Sequence, residues 1–285
     1  MEKPDNAHFY DSLDGLRLYY RDFGADNPGT PIICLPGLTR NSRDFEDLAT
    51  LLGERRRVLT PDLRGRGFSE HDKEWRNYHP GTYVQDTWTL LDKLGIDKVI
   101  VIGTSLGGLC AMAMSGQQPE RLAGVVMNDI GPEINPAGIE RVQAYTGRVP
   151  DVGSWEEAAT QTKEIYGQWL PGLTDDDWRK MAWRAYREDE QGIPRLDIDN
   201  NIGEAVRTVG PQKGDPWALF DSLRQTPVLL IWGEMSDILT KDIIDKMQAR
   251  KPDLKVAAVK NRGHVPLLDE PECIAGIDAF LTEVP

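Results

Sequence analysis

The chain has 285 residues, 40% hydrophobic and 28% charged, with a formal net charge of −13. A chain of this length can bury a substantial core without disulfide or metal staples. Its acidic balance repels phosphate backbones and anionic lipid, which sets nucleic acid and membrane surfaces aside as partners. It also exerts no long-range pull on an anionic small molecule, although a local basic group can still bind one.

Short apolar runs alternate with amphipathic helical patterns along most of the chain. His8-Phe9-Tyr10 and Leu16 to Phe23, joined through Leu13-Asp14-Gly15, predict an antiparallel hairpin. Ile32 to Leu35, Val58 to Thr60, Val99 to Ile102, Val125 to Met127, Val228 to Ile231 and Val256 to Val259 follow as further strands. Continuous apolar runs of this kind suit strands covered on both faces, as in a parallel sheet. Tyr83, Val84, Thr87, Trp88 and Leu91 keep helical spacing, with Gly95 as a stop. A helical run from Leu109 to Ser115 follows the Val99 strand, and Ile243, Ile244 and Met247 mark another helix. Asp269, Pro271 and Glu272 signal the start of the last one. The alternation predicts an α/β architecture.

It breaks between Gly131 and about Trp217, where no strand pattern is visible. Ser154 and Glu157 read as a capping box, followed by an apolar face of Trp155, Ala158, Ala159, Thr162, Tyr166, Trp169 and Leu170. Thr174 caps a second helix, and Asp175-Asp176-Asp177 fall in its first turn, where negative charge opposes the dipole. That placement favours helix chemistry over a metal site. The segment 132–216 is therefore expected to be a helical cap inserted into a core made of 1–131 and 217–285. Trp155, Trp169, Trp178, Trp183 and Trp217 lie in or at the end of the cap. Three of them sit on apolar stripes, which favours packing over ligand contact. Trp155, Trp169 and Trp183, with Trp232 from the core, are the candidate pocket aromatics.

Gly103-Thr104-Ser105-Leu106-Gly107 carries the chemistry. A buried strand ends just before it and a helical run starts just after. A nucleophile elbow needs that setting: the serine sits on a tight strand-to-helix turn, and flanking glycines let neighbouring elements approach. The helix N-terminus presents unpaired N–H groups beside the reacting oxygen. Serine requires a base, and of His8, His71, His79 and His264 only His264 lies downstream of the elbow, in a loop after a late strand. The acid that orients it falls between the two in the chain. Asp237, in the loop after the Val228 strand, is preferred. Asp129, which ends the Val125 strand, is the alternative, and Glu234 is a nearby competitor. The backbone N–H groups of Leu38, in Pro36-Gly37-Leu38, and of Leu106 are the candidate oxyanion donors.

The motif set resembles the α/β-hydrolase superfamily over nearly the whole chain. Asp62-Leu63-Arg64-Gly65-Arg66-Gly67-Phe68-Ser69 is similar to the D-x-R-G-x-G-x-S stretch of many members, whose Asp and Arg are structural there. Gly263-His264-Val265-Pro266 with Asp269-Glu270-Pro271 resembles the family's histidine loop. The resemblance implies a mostly parallel eight-stranded sheet with helices on both faces, a lid after strand six, no cofactor and no metal. It also supports Asp237, which matches the common acid position after strand seven. Pro36-Gly37 stands where many members have His-Gly, which leaves the backbone donor in place. Serine as nucleophile argues against the carboxylate-initiated dehalogenases and epoxide hydrolases.

The expected function is hydrolysis of a small ester, lactone or related acyl substrate through an acyl-enzyme. C–C bond hydrolysis, perhydrolysis or acyl transfer on the same triad, and a ligand receptor built on a hydrolase scaffold, are the alternatives. Cys34, Cys110 and Cys273 lack metal spacing, and the first two sit in apolar runs typical of buried free thiols. The N-terminus leads into no apolar stretch. Both features fit a cytoplasmic protein.

Overall fold

In the computed structural model, residues 4–208 and 215–284 are described. Met1 to Lys3 of the N-terminal stretch and positions 209–214 of the expected cap lie outside them. The predicted hairpin is β1 (Ala7–Asp11) and β2 (Arg17–Phe23), paired antiparallel. Then follow β3 (Ile32–Leu35), α1 (Glu46–Gly53), β4 (Val58–Pro61) and α2 (Pro80–Lys93). Next come β5 (Val99–Thr104), α3 (Leu106–Gln117) and β6 (Leu122–Asn128). Gly95, at φ 66°, lies just beyond α2 and donates its N–H back to the Asp92 carbonyl, as a stop should.

Between β6 and the next long strand lie α4 (Pro136–Tyr145), α5 (Trp155–Tyr166), α6 (Asp175–Ala185), β7 (Tyr186–Glu188), β8 (Pro194–Leu196) and α7 (Asn201–Thr208). The chain closes with α8 (Pro216–Ser222), β9 (Val228–Gly233), α9 (Lys241–Arg250), β10 (Lys255–Val259) and α10 (Pro271–Glu283). The eight long strands form one sheet in the order β1-β2-β4-β3-β5-β6-β9-β10. Only β2 runs against its neighbours; every pair from β4 to β10 is parallel.

Period-2 alternation divides each central strand between two cores. Ile33, Leu35, Val99, Val101, Val125 and Met127 pack with residues of α2, α3, α8 and α9. Ile32, Cys34, Ile100, Ile102 and Val126 face the other way, toward α1 and α10. This double burial explains why these strands read as unbroken apolar runs. All three cysteines are free and buried.

Three local features differ from the sequence reading. The segment after β6 holds a small hairpin, β7 with β8, of three residues per strand. It is too short and too charged for a period to show, and its turn is organised by Asp189, whose carboxylate accepts the N–H groups of Gln191 and Ile193. The last helix begins at Pro271 with Glu270, not Asp269, as its cap residue. The Thr174 capping box with Asp177 is complete, so the acidic triplet does serve the start of α6. At α5 only half the box forms: Ser154 accepts the Glu157 N–H, while the Glu157 carboxylate reaches Gly153. Among the described residues no helix is long and apolar enough to cross a membrane, and no cluster of His, Cys, Asp or Glu could hold a metal ion.

Candidate active site

Ser105 occupies the turn between β5 and α3 with φ 51° and ψ −111°, a conformation that side chains other than glycine rarely take. The turn closes because its glycines leave no room for anything larger. A Cβ on Gly107 would stand 2.1 Å from the Leu35 carbonyl oxygen, and one on Gly103 would stand 2.4 Å from the Gly107 backbone. The Ser105 N–H is anchored to the Asn128 carbonyl at the end of β6.

His264, buried in the loop after β10, bridges the serine and a carboxylate. Its Nε2 lies 3.0 Å from Ser105 Oγ, and its Nδ1 lies 2.8 Å from Asp129 Oδ2. Asp129 is fully buried at the end of β6. Its Oδ1 accepts the Gly233 N–H at 2.9 Å, and its Oδ2 accepts the Ser236 hydroxyl at 2.6 Å. A carboxylate can only accept, so the imidazole proton belongs on Nδ1, and Nε2 is left to receive the serine hydroxyl. The histidine loop is itself tied down: the Gly263 N–H donates to the Trp169 carbonyl, and Glu270 accepts the Leu267 and Leu268 N–H groups.

The preference for Asp237 is therefore corrected. Asp237 is paired instead with Arg141 of α4, whose Nε and Nη2 hold it in a two-pronged pair at 2.6 and 2.8 Å. The sequence carried a signal for Asp129. It directly follows the strand next to the nucleophile strand, and β6 lies between β5 and β9 in the sheet. A carboxylate at that strand end stands between the elbow and the β9 loop.

Leu106 is the first residue of α3, so its N–H has no earlier helical carbonyl to reach. Leu38 lines the same cavity as Ser105 and His264. Its carbonyl is gripped by Arg66 through Nε at 3.0 Å and Nη2 at 2.9 Å. Arg66 is fully buried and also donates to the Arg64 carbonyl and the Tyr83 hydroxyl. Arg64 ties Asp86, Asp14 and Asp72 together, and its hydrogen bond draws the Asp14 carboxyl down to about 2. Asp62 accepts the Ser42 and Phe68 N–H groups, and burial pushes its carboxyl up to about 6. The Asp62–Ser69 stretch thus braces the site from behind.

The cavity over Ser105 measures about 90 Å³. Its floor is Gly37, Leu38, Thr104, Ser105 and His264, and its roof comes from α4 to α6 and the loop between α5 and α6: Val142, Tyr145, Tyr166, Leu170, Met181 and Arg184. None of the four candidate tryptophans lines it. Trp155 donates to Glu188, Trp232 donates to the Leu239 carbonyl, and Trp169 packs on Gly263. Trp183 is 38% exposed, near the Arg43 guanidinium. A rigid indole fills space inside a helical segment more readily than it forms an open wall, so the aromatic lining falls to Tyr145, Tyr166 and Phe45.

A parallel-sheet core, a strained serine elbow, and a histidine linked to a strand-end carboxylate together define a hydrolase-type scaffold. The model of a family described as having the alpha/beta hydrolase fold matches residues 30–271. The chain belongs to that family, whose named relatives are hydrolases. It is 31% identical to the 3-hydroxybutyrate-oligomer hydrolase of Cupriavidus necator over 280 residues, 93% of each chain. It is 25% identical to the 2-(acetamidomethylene)succinate hydrolase of Mesorhizobium japonicum, over 83% of this chain and 82% of that one. The crystal structure of an alpha/beta hydrolase from Novosphingobium aromaticivorans superposes with a TM-score of 0.92 at 41% identity, covering 98% of both chains.

Proposed function

We propose that the protein is a serine hydrolase of small acyl substrates, esters or lactones, with Ser105, His264 and Asp129 as its triad. The observation that carries this reading is the His264 bridge, 3.0 Å to Ser105 Oγ and 2.8 Å to Asp129 Oδ2. Ser105 attacks the carbonyl carbon as its proton passes to His264 Nε2, and the C=O electron pair moves to oxygen. The N–H groups of Leu38 and Leu106 hold that oxyanion. His264 then returns the proton to the leaving group as the bond to it breaks, leaving an acyl-serine. Water, deprotonated by His264, attacks the acyl carbon and releases the acid while Ser105 recovers its proton.

Asp129 fixes the imidazole tautomer and stabilises its cationic form. In this reading the helical segment over the sheet acts as the lid. The relative named for 3-hydroxybutyrate oligomers falls within the same acyl chemistry. A fluorophosphonate probe with peptide mapping tests the reading. Labelling at Ser105, lost in Ser105→Ala together with turnover of p-nitrophenyl esters, is the expected result. Wild-type turnover that survives Ser105→Ala would sink it.

A further inference from the structure

Two arginines line the cavity that holds Ser105 and His264, and the acyl-transfer steps use neither. Arg40 follows the Leu38 loop. Its Cγ and the Ser105 Cβ stand 3.7 and 3.9 Å from the point a Cβ on Gly37 would occupy, so both side chains border Gly37 on the cavity wall. Asp44 accepts from its Nε and Nη2 at 2.8 and 2.6 Å, leaving Nη1 without an acceptor among the described residues. Burial opposes the Arg40 charge, but the Asp44 carboxylate outweighs it and keeps the guanidinium protonated.

Arg184 of α6 has a side chain only 5% exposed. Its Nη2 donates to Asp47, which also takes Lys180, and its buried Nε has no hydrogen-bond partner. A buried guanidinium N–H left unmatched is costly, and the cost is relieved when a small shift of the side chain brings it to a ligand oxygen. Arg40, Arg184 and Lys180 share two partner carboxylates, Asp44 and Asp47. Asp269 is close enough to feel Arg184 and Lys180 but is not on the cavity wall, and burial raises its carboxyl.

We propose that the acyl part of the substrate carries a free carboxylate, which Arg40 Nη1 and Arg184 Nε bind while Ser105 attacks an ester carbonyl a few methylenes away. Guanidinium groups suit this role because their fixed N–H fork matches a carboxylate. Val142, Leu170, Met181 and Leu267 supply the apolar wall for the carbons between the two ends. The overall charge of −13 gives such an anion no long-range attraction, so recognition rests on these two contacts. The inference rests on the acyl-hydrolase reading above.

The test uses half-esters of four- to six-carbon dicarboxylic acids, p-nitrophenyl at one end and either free acid or methyl ester at the other. The wild type is expected to favour the free acid at least tenfold in kcat/KM for one chain length, with the ratio falling toward one in Arg40→Met and Arg184→Met. Ser105→Ala, titrated calorimetrically with the monomethyl and dimethyl esters of the same acids, should show the same order of affinity. Should Arg184→Met not fold, Arg184→Lys keeps a cation for Asp47 and lacks Nε, and the ratio should still fall at least threefold. No preference at any chain length, or a preference unchanged in both arginine variants, overturns the proposal. If the wild type hydrolyses nothing while Ser105→Ala still selects the free acid, the hydrolase reading fails and the carboxylate site stands.

Discussion

The floor and the roof of the cavity hold side chains over Ser105 by different means. The floor is set by backbone: β5, β6 and β9 are adjacent and parallel, and their ends deliver the elbow, Asp129 and the β9 loop within one hydrogen-bonded cluster. The roof is set by side chains: three helices and the loop between two of them each contribute one or two residues, and Trp155, Trp169 and Trp178 of the segment are spent on packing. Strand position therefore dictates function in the floor, whereas in the roof a residue's role depends on which neighbour it meets.

The sharpest way to break that contrast is to neutralise the two competing acids. Asp129→Asn, which spoils the histidine tautomer, is expected to lower kcat by about ten-thousandfold. Asp237→Asn should change kcat less than about tenfold and lower stability by about 1–3 kcal/mol, because it breaks a largely buried ion pair to Arg141. Kinetics on one ester with parallel denaturant unfolding decide between them, and a reversed order would move the triad acid to Asp237. Arg66→Met probes how far the floor depends on its bracing. Unpairing the Leu38 and Arg64 carbonyls and the Tyr83 hydroxyl should lower stability by about 3 kcal/mol and kcat by at least about tenfold. A kcat equal to wild type in the folded variant would detach Arg66 from the oxyanion loop. The smallest effect is expected in the roof. Trp155→Phe should lower stability by about 1 kcal/mol through loss of the Glu188 hydrogen bond, with kcat/KM within about twofold of wild type. A large rise in KM would return that tryptophan to the cavity wall.

This contrast also sets what could be read from sequence. The strand runs, the elbow and His264 were legible because burial on both faces writes itself as continuous apolar runs and because the elbow needs glycine at 103 and 107. Asp237 misled because chain position alone does not say which way a loop carboxylate turns; Arg141, 96 residues earlier, decides that. Arg40 and Arg184 were invisible for a related reason. Each looks like a surface arginine on a helix or loop until folding buries it against Asp44 or Asp47. The β7–β8 hairpin was missed because three residues per strand carry no period.

Arg66 has one further consequence. Among the described residues no carboxylate lies within ion-pair distance of it; its partners are two carbonyls, a phenol and the faces of Tyr78 and Tyr83. A positive charge with no carboxylate in direct contact thus stands within hydrogen-bond reach of the Leu38 carbonyl, one peptide unit from the N–H proposed for the oxyanion. Buried charge is screened little by dissolved salt. In the proposed reaction, the share of the potential at Ser105 that comes from Arg66 is thus fixed when the chain folds, before any substrate arrives, and it persists across ionic strengths that would silence the acidic exterior.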